Sequence, residues 1–232
     1  MRFCRCEMLI GADAVENLKN SSVAVFGVGG VGGYVVEALT RSGVGRIAII
    51  DKDVVDESNI NRQIVALTST IGKNKVDVMK QRMLDINPDV KVEAHCEFYL
   101  PDNADFIELG SFDYVVDAID NVTAKIELIK RCKQADVPII SAMGAGNKLD
   151  PTRIEIADIS KTSVCPLAKV IRRKLADLGI EGVTVAYTRE IPANASGGRT
   201  PASMMPVPAA MGLTMASKVL RDLSGMRIKS KS

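Results

Sequence analysis

The sequence predicts an α/β protein: a mostly parallel sheet with helices on both faces and a small strand and helix extension at the C-terminal end. Two observations carry this. Short β-branched runs alternate with longer helical patterns through the first two thirds of the 232 residues, as expected of parallel strands joined by helical crossovers. One of those runs then breaks into five glycines within seven positions, GVGGVGG at 27–33, before a helical pattern resumes.

In chain order, strands are predicted at 22–27 (SVAVFG), 46–51 (RIAIID), 90–95 (VKVEAH), 112–118 (FDYVVDA) and 137–142 (VPIISA). Helices are predicted between them at 31–43, 73–87, 103–109 and 121–136. Asn87-Pro88 and Val137-Pro138 act as breakers, because proline drives the preceding residue out of the helical region. The alternating run RIEIADIS at 153–160 is expected to begin a second layer. Over 165–179, Leu167, Val170, Ile171, Leu175 and Leu178 share one helical face, with Pro166 near the start and Gly179 as the stop. Residues 190–206, rich in Pro, Gly, Ser and Ala, read either as a mobile loop near a functional site or as a linker. A last helix at 207–223 closes the domain against the sheet.

Composition narrows the class. The chain is 47% hydrophobic and 25% charged with a net charge of +2, an ordinary globular balance that does not announce a nucleic-acid binder. No apolar stretch approaches the roughly 18 residues of a membrane span, and the opening MRFCRCEMLIG lacks a secretory layout. A cytoplasmic protein without a membrane span is expected. The five cysteines, Cys4, Cys6, Cys96, Cys132 and Cys165, include no Cys-x-x-Cys pair, so neither a disulfide framework nor zinc is expected. The basic ending MRIKSKS reads as a solvated tail.

Gly27, Gly29 and Gly32 fit G-x-G-x-x-G directly after a strand and at the opening of a helix, with Gly30 between them. Such a turn permits close backbone approach to phosphate, and the helix N-terminus offers unpaired N–H groups. Asp51 ends the next strand, placed for ribose hydroxyls. Glycine geometry suits NAD, FAD, S-adenosylmethionine and ATP alike. None of the four tyrosines is followed four residues later by lysine, and the glycine turn lacks the Lys-Ser/Thr of a Walker loop. The single histidine, His95, lies in a strand pattern and reads as a packed residue rather than a general base.

Beyond Asp51, the run DKDVVDESNINRQIV carries Asp53, Asn59, Arg62 and Gln63, and IGKNKVDVMKQRM places Lys73 and Lys75 at a helix start. Cations and amides of this kind suit a transferring phosphate. VVDAIDN supplies Asp117, Asp120 and Asn121 at another strand end, where a carboxylate can hold Mg²⁺ beside phosphates. Solvated side chains and a helix N-cap at Asp120 account for the same residues one at a time.

GVGGVGG, a strand ending in DKD, then SNINRQ, GKNK and DAIDN together resemble the ATP-dependent adenylating enzymes, a family that includes ubiquitin-activating enzymes and bacterial molybdopterin- and thiamine-pathway adenylyltransferases. The resemblance implies a Rossmann-like fold over residues 1–150 that binds ATP, with 151–232 a C-terminal extension of the same domain whose loop 190–206 meets the substrate. It implies that a carboxylate attacks the α-phosphate to give an acyl-adenylate. Position by position, Gly27, Gly29, Gly30 and Gly32 would lie against the phosphates, and Asp51 and Asp53 on the nucleotide side. Asn59, Arg62, Gln63 and Lys75 would hold the triphosphate and Asn121 would belong to the cofactor site, with Arg62, Lys75, Asp120 and Arg5 catalytic and Asp120 binding Mg²⁺. Arg5 in RFCR looks like the family arginine that reaches into the partner subunit of a homodimer.

The runs DPTRIEIADISKTSVCPLAKVIRRKL and GGRTPASMMPVPAAMGL resemble the branch that dehydrates threonylcarbamoyladenosine in tRNA. Gly33 stands where that branch often has serine, an exchange of one small residue for another. The alternative is activation of the C-terminal carboxylate of a ubiquitin-like sulfur carrier, and Cys165 is the residue that reading would use. A packed, inert Cys165 is the other outcome. Lys169, Arg172, Arg173 and Lys174 on the 165–179 helix, with Arg199 in the loop, read either as a tRNA-phosphate surface or as a solvated face. A monovalent cation near the C-terminal loop and a sulfur-relay or cysteine desulfurase partner are left open.

Overall fold

A computed structural model describes residues 2–193 and 201–226. Two short helices, α1 (Cys4–Ile10) and α2 (Ala12–Asn20), precede the sheet. Strand β1 (Ser22–Phe26) enters the glycine turn and leads to α3 (Gly32–Arg41), followed by β2 (Arg46–Ile50) and α4 (Lys75–Ile86). Then come β3 (Lys91–His95), β4 (Tyr114–Asp117), α5 (Val122–Gln134) and β5 (Ile139–Ala142). The remainder holds β6 (Ile154–Asp158), α6 (Pro166–Asp177), β7 (Thr184–Thr188) and α7 (Pro206–Ser224).

Among the described residues, seven strands lie in one sheet, ordered β3-β2-β1-β4-β5-β7-β6. Pairings are parallel except the last, where β6 runs antiparallel to β7 from Ile154 opposite Thr188 to Asp158 opposite Thr184. Alternation along β1 shows how helices come to cover both faces, since successive strand side chains point to opposite sides. Val23 and Val25 join a core with Val35 and Leu39 of α3, Met79 of α4 and Met211 and Met215 of α7. Ala24 and Phe26 join the opposite core, with Leu128 and Ile129 of α5 and Ile171 and Leu175 of α6. Among the described residues, no helix is long and apolar enough to cross a membrane.

Three details differ from the sequence-based expectations. The run at 153–160 does not begin a second layer: its strand is the edge of the main sheet. An edge strand is half covered, and the alternation it shows is the one a fresh layer would show. The stretch 103–109 is not an α-helix: it holds the 3₁₀ turn Ala104–Phe106 and ends at the start of a second, Leu109–Ser111. The Asn103 side chain is committed to loop contacts, accepting from Leu100 N at 2.8 Å and donating to Phe98 O at 2.6 Å, a local alternative to helix that asparagine readily takes. The third is β7, a buried strand inserted between β5 and β6 that the sequence analysis did not assign.

The order places β1 at the sheet's turning point: the chain winds outward to β3 on one side, then returns to build β4 on the other. Loops leaving β1 and β4 therefore diverge and open a crevice beyond their carboxyl ends, the usual ligand position in an open α/β sheet.

Candidate active site

A cavity of about 750 Å³ occupies that crevice, within the range of small-molecule sites. Its lining includes Gly27, Gly29 and Gly30, Asp51 and Asp53, Asn59, Arg62 and Gln63, Lys75 and Asp120. These positions span nearly a hundred residues of sequence, and the fold brings them to one edge of the sheet.

The glycine turn is required by close approach. Gly27 has φ +90°, and a Cβ there would lie 2.6 Å from the Ala118 carbonyl oxygen. A Cβ on Gly32 would fall 1.8 Å from the Gly27 oxygen, so Gly32 lets α3 start directly behind β1 without itself lining the cavity. The N-cap of α3, Val31, makes no side-chain cap bond; Gly33 N donates to Gly29 O and Tyr34 N to Val31 O, whereas the Gly29, Gly30, Val31 and Gly32 amides make no hydrogen bond among the described residues and remain available to an anion. Gly32→Ala is expected to destabilise the fold by about 1–3 kcal/mol and to abolish the rise in Tm on adding ATP. Thermal melts with and without nucleotide check this; a wild-type shift in the variant would remove the turn from the nucleotide site.

Asp51 holds the turn from the next strand. Its Oδ2 accepts from Val28 N at 2.6 Å and its Oδ1 from Asp53 N at 2.8 Å. Burial pushes the carboxyl up, opposed by those two backbone bonds and by Lys75. Asp51 thus staples the glycine turn to the end of β2, and each oxygen retains a further lone pair for a ligand hydroxyl.

The wall beyond Asp51 is built from short turns. Asp56 and Asn59 form a reciprocal capping box around Glu57–Asn59, which fixes the chain entering Arg62 and Gln63. Arg62 Nη1 donates to Ser58 O and to Asn61 Oδ1, both at 2.8 Å. Lys75, buried at the start of α4, lies 2.8 Å from Asp53 Oδ2. Gln63 Oε1 is buried and, among the described residues, has no hydrogen-bond partner. That oxygen is an acceptor, so a donor such as water accompanying a bound ligand must satisfy it, while the neighbouring Arg62 and Lys75 are the groups suited to phosphate oxygens. Lys73 is exposed and does not line the cavity.

Beside this wall Phe26, Ile50, Phe98 and Tyr99 form an apolar flank. Phe26 and Tyr99 meet edge to face at 4.9 Å, and the Lys52 ammonium lies 4.0 Å above the Phe98 ring. His95 instead packs against Phe106 with ring centroids 5.6 Å apart and takes no part in the lining.

On the β4 side, Asp120 is exposed at the cavity and Asn121 caps α5, accepting from Ala124 N at 3.0 Å. Asn121 does not line the cavity, so its role in the structure is to set the start of α5. Among the described residues no group of three or more His, Cys, Asp or Glu side chains forms a metal cluster. A single carboxylate completed by phosphate oxygens and water is nevertheless a normal setting for Mg²⁺.

Sequence reasoning missed what lies beneath Asp120. Asp117, the last residue of β4, is wholly buried with Lys125 of α5, their charged atoms 2.8 Å apart and both side chains at 0% exposure. Ser141 of β5 donates to the same Asp117 oxygen, while Ile119 N donates to the other at 3.1 Å. Lys125 sits in a helical pattern where lysine ordinarily signals the solvent face, so the sequence offered no sign of its burial.

The opposite wall follows β5. Gly144, Gly146, Asn147 and Lys148 line it, with Cys165, Pro166 and Leu167 at the start of α6. Cys165 is buried, and a Cβ on Gly144 would lie 3.4 Å from its sulfur. The described ends of the 190–206 segment are tied down here: Ala193 N donates to Asn147 O, Asn147 N to Ala202 O, and Ala202 N to Asn147 Oδ1, all at 2.7 Å. Asn61 Nδ2 reaches Ser203 O at 2.8 Å from the other wall. Arg199 lies outside the described residues, as do its neighbours from 194 to 200.

Two further groups of predicted residues stand away from the cavity lining. Arg5 is exposed on α1, a helix with no buried residue. On α6, Lys169, Arg173 and Lys174 are exposed, whereas Arg172 is turned back to donate to Thr162 O and Oγ1 at 2.9 and 2.7 Å.

Comparison with known proteins places these features together. The ThiF family model matches residues 3–232. A tRNA threonylcarbamoyladenosine dehydratase of Bacillus subtilis (strain 168) is 47% identical over 99% of this chain and 99% of its own length. A dehydratase of the same name from Escherichia coli (strain K12) is 40% identical over 77% of this chain and 67% of its own. The crystal structure of the E. coli tRNA N6-threonylcarbamoyladenosine dehydratase, TcdA, in complex with ATP superposes with a TM-score of 0.91 at 35% identity, covering 97% of this chain and 94% of that one.

Proposed function

We propose that this chain, which belongs to the ThiF family, is an ATP-dependent enzyme that dehydrates threonylcarbamoyladenosine in tRNA to its cyclic form. The observation that carries this reading is a nucleotide-sized cavity with a glycine turn and the Arg62 and Lys75 cations on one side and a second, separate wall on the other. Such a site can hold a triphosphate and still admit a second reactant.

The chemistry follows from leaving groups. A carboxylate cannot expel oxide, so its oxygen first attacks the α-phosphorus of ATP and pyrophosphate departs. The resulting acyl-adenylate can lose AMP. The neighbouring carbamoyl group attacks the activated carbonyl and closes a ring, favoured by the high effective molarity of an intramolecular step. The net change is loss of one water from the nucleoside, with ATP converted to AMP and pyrophosphate.

In this reading the Gly29 and Gly30 amides lie against the phosphates, and Asp51 takes a ribose hydroxyl while it holds the turn. The flank of Phe26, Ile50, Phe98 and Tyr99 accepts the flat base. Asn59, Arg62, Gln63 and Lys75 orient the triphosphate and stabilise charge as the phosphorus becomes five-coordinate. Asp120 would hold Mg²⁺, which when bound neutralises phosphate charge. Lys169, Arg173 and Lys174 supply tRNA phosphate contacts, and binding weakens with salt.

A cytoplasmic homodimer accompanies the reading. The support for the dimer is α1, which leaves Met8 and Leu9 about 80% and 81% exposed, an apolar pair beside Arg5 that a second copy would cover. A sulfur-relay partner lies outside the chemistry, since dehydration moves no sulfur atom.

The test is to incubate the protein with ATP, Mg²⁺ and tRNA bearing threonylcarbamoyladenosine, digest the RNA mildly and weigh the nucleosides. Loss of one water is the expected result. An unchanged nucleoside, from protein that exchanges pyrophosphate into ATP only with a ubiquitin-like sulfur carrier, would transfer the site to carrier activation.

A further inference from the structure

Three lysines are buried among the described residues: Lys75, Lys125 and Lys148. The first two each lie 2.8 Å from a carboxylate, as buried ammonium groups normally must. Lys148 is different. At 3% exposure it is as buried as the others, yet among the described residues its Nζ donates to a carbonyl oxygen, that of Glu190. The Glu190 carboxylate is committed elsewhere, with Oε1 accepting from Leu149 N at 2.8 Å and Oε2 from Asp150 N at 2.9 Å. Burial pushes the Lys148 ammonium below the usual lysine range, with Cys165 and Glu190 opposing.

An ammonium has three donors, and the space beside this one is the cavity, whose lining includes Lys148. The distribution of lining cations says what belongs there. Lys52, Arg62 and Lys75 all come from the chain that follows β2, with Lys52 over the Phe98 ring and Arg62 and Lys75 on the wall assigned to the triphosphate. Lys148 comes from the opposite wall of the cavity, after β5, beyond Gly144 and Gly146, whose missing side chains let Cys165 and Pro201 pack closely against that wall. A carboxylate that must approach a polyanion meets electrostatic repulsion unless a cation accompanies it, and a desolvated ammonium without its own carboxylate can do so at little further dehydration cost.

We propose that Lys148 binds the carboxylate of the substrate's threonyl group, forming an anion subsite across the cavity from the triphosphate wall. The inference rests on the dehydratase reading and adds the group that presents the nucleophile. Lys148 forms no covalent bond; it orients the carboxylate and is released when that oxygen becomes part of the adenylate.

The experiment compares wild type with Lys148→Met, which keeps the length and loses the charge. Dissociation constants are measured for tRNA with and without the threonylcarbamoyl group, and KM values for modified tRNA and for ATP. Wild type should prefer modified tRNA; the variant should lose that preference, with KM for modified tRNA up at least tenfold, KM for ATP within twofold and Tm unchanged or higher. Preference retained, or KM for modified tRNA within twofold of wild type, would overturn the proposal. A parallel rise in both KM values would also overturn it, since that marks general damage to the cavity. Should Lys148→Met melt well below wild type, Lys148→Arg decides: preference retained supports the subsite, preference lost overturns it. If wild type itself leaves the nucleoside unchanged, the dehydratase reading fails and takes this inference with it, an outcome distinct from a working enzyme indifferent to Lys148.

Discussion

Alanine in place of Arg62 is expected to cut ATP-dependent loss of water from threonylcarbamoyladenosine by roughly 10²- to 10³-fold. Arg62 is half-exposed, and its guanidinium is held by Ser58 O and the Asn61 side chain rather than by a buried carboxylate. Removing it therefore leaves no stranded charge, and stability should change by no more than about 0.5 kcal/mol. The loss should appear mainly in kcat, because the group acts on charge that grows as the α-phosphorus is attacked. Arg62→Lys should recover only part of the rate, since an ammonium lacks the planar fork that spans two phosphate oxygens. Single-turnover kinetics on modified tRNA, read by mass, provide the check. Product formed at the wild-type rate would take Arg62 out of the reaction and leave Lys75 as the cation on that wall.

The second large effect is on stability. Lys125→Ala should destabilise the protein by about 3–5 kcal/mol, because it strands the buried Asp117 carboxylate. For a chain of this size that corresponds to a fall in Tm of roughly 6–20 °C. Removing both charges, as Asp117→Asn with Lys125→Met, should cost less than the single change, the mark of a buried pair whose members are needed only for each other. Since Asp117 also anchors Ile119 N, the residue before Asp120, Lys125→Ala should lower turnover at temperatures where it remains folded. A melt within 2 °C of wild type, on the scale of about 2–4 °C per kcal/mol, would mean that water or a rotated side chain replaces the lysine.

Most of the residues that line the glycine-turn side of the cavity were legible in the sequence because that side is built from local signals. The glycine turn, the acid after β2, and the SNINRQ and GKNK runs each announce their chemistry within a few residues. The five strands assigned from the sequence share that property, each a short apolar run with breakers nearby. What escaped depends on the tertiary arrangement. The run VTVAYT carries β-branched residues beyond Gly182, but only its neighbours decide that it belongs between β5 and β6. Lys125 and Lys148 are single charged residues with no repeat around them, and their burial is created by β4, β5 and the Glu190 turn. Asn121, expected in the cofactor site, lies outside the cavity lining and caps α5, the ordinary use of asparagine at a helix start.

The glycine turn is backed by the end of the chain as well as by its own helix. Gly212 of α7 approaches so closely that a Cβ there would lie 2.3 Å from the Val31 oxygen and 3.0 Å from the Tyr34 Cβ. During synthesis the glycine turn and α3 emerge long before α7, the helix that supports them. A nascent chain that stops short of α7 carries the whole nucleotide signature with one core face open to solvent. Packing behind the glycine turn is thus completed only when α7 docks, and a chain truncated before α7 is expected to lose that support.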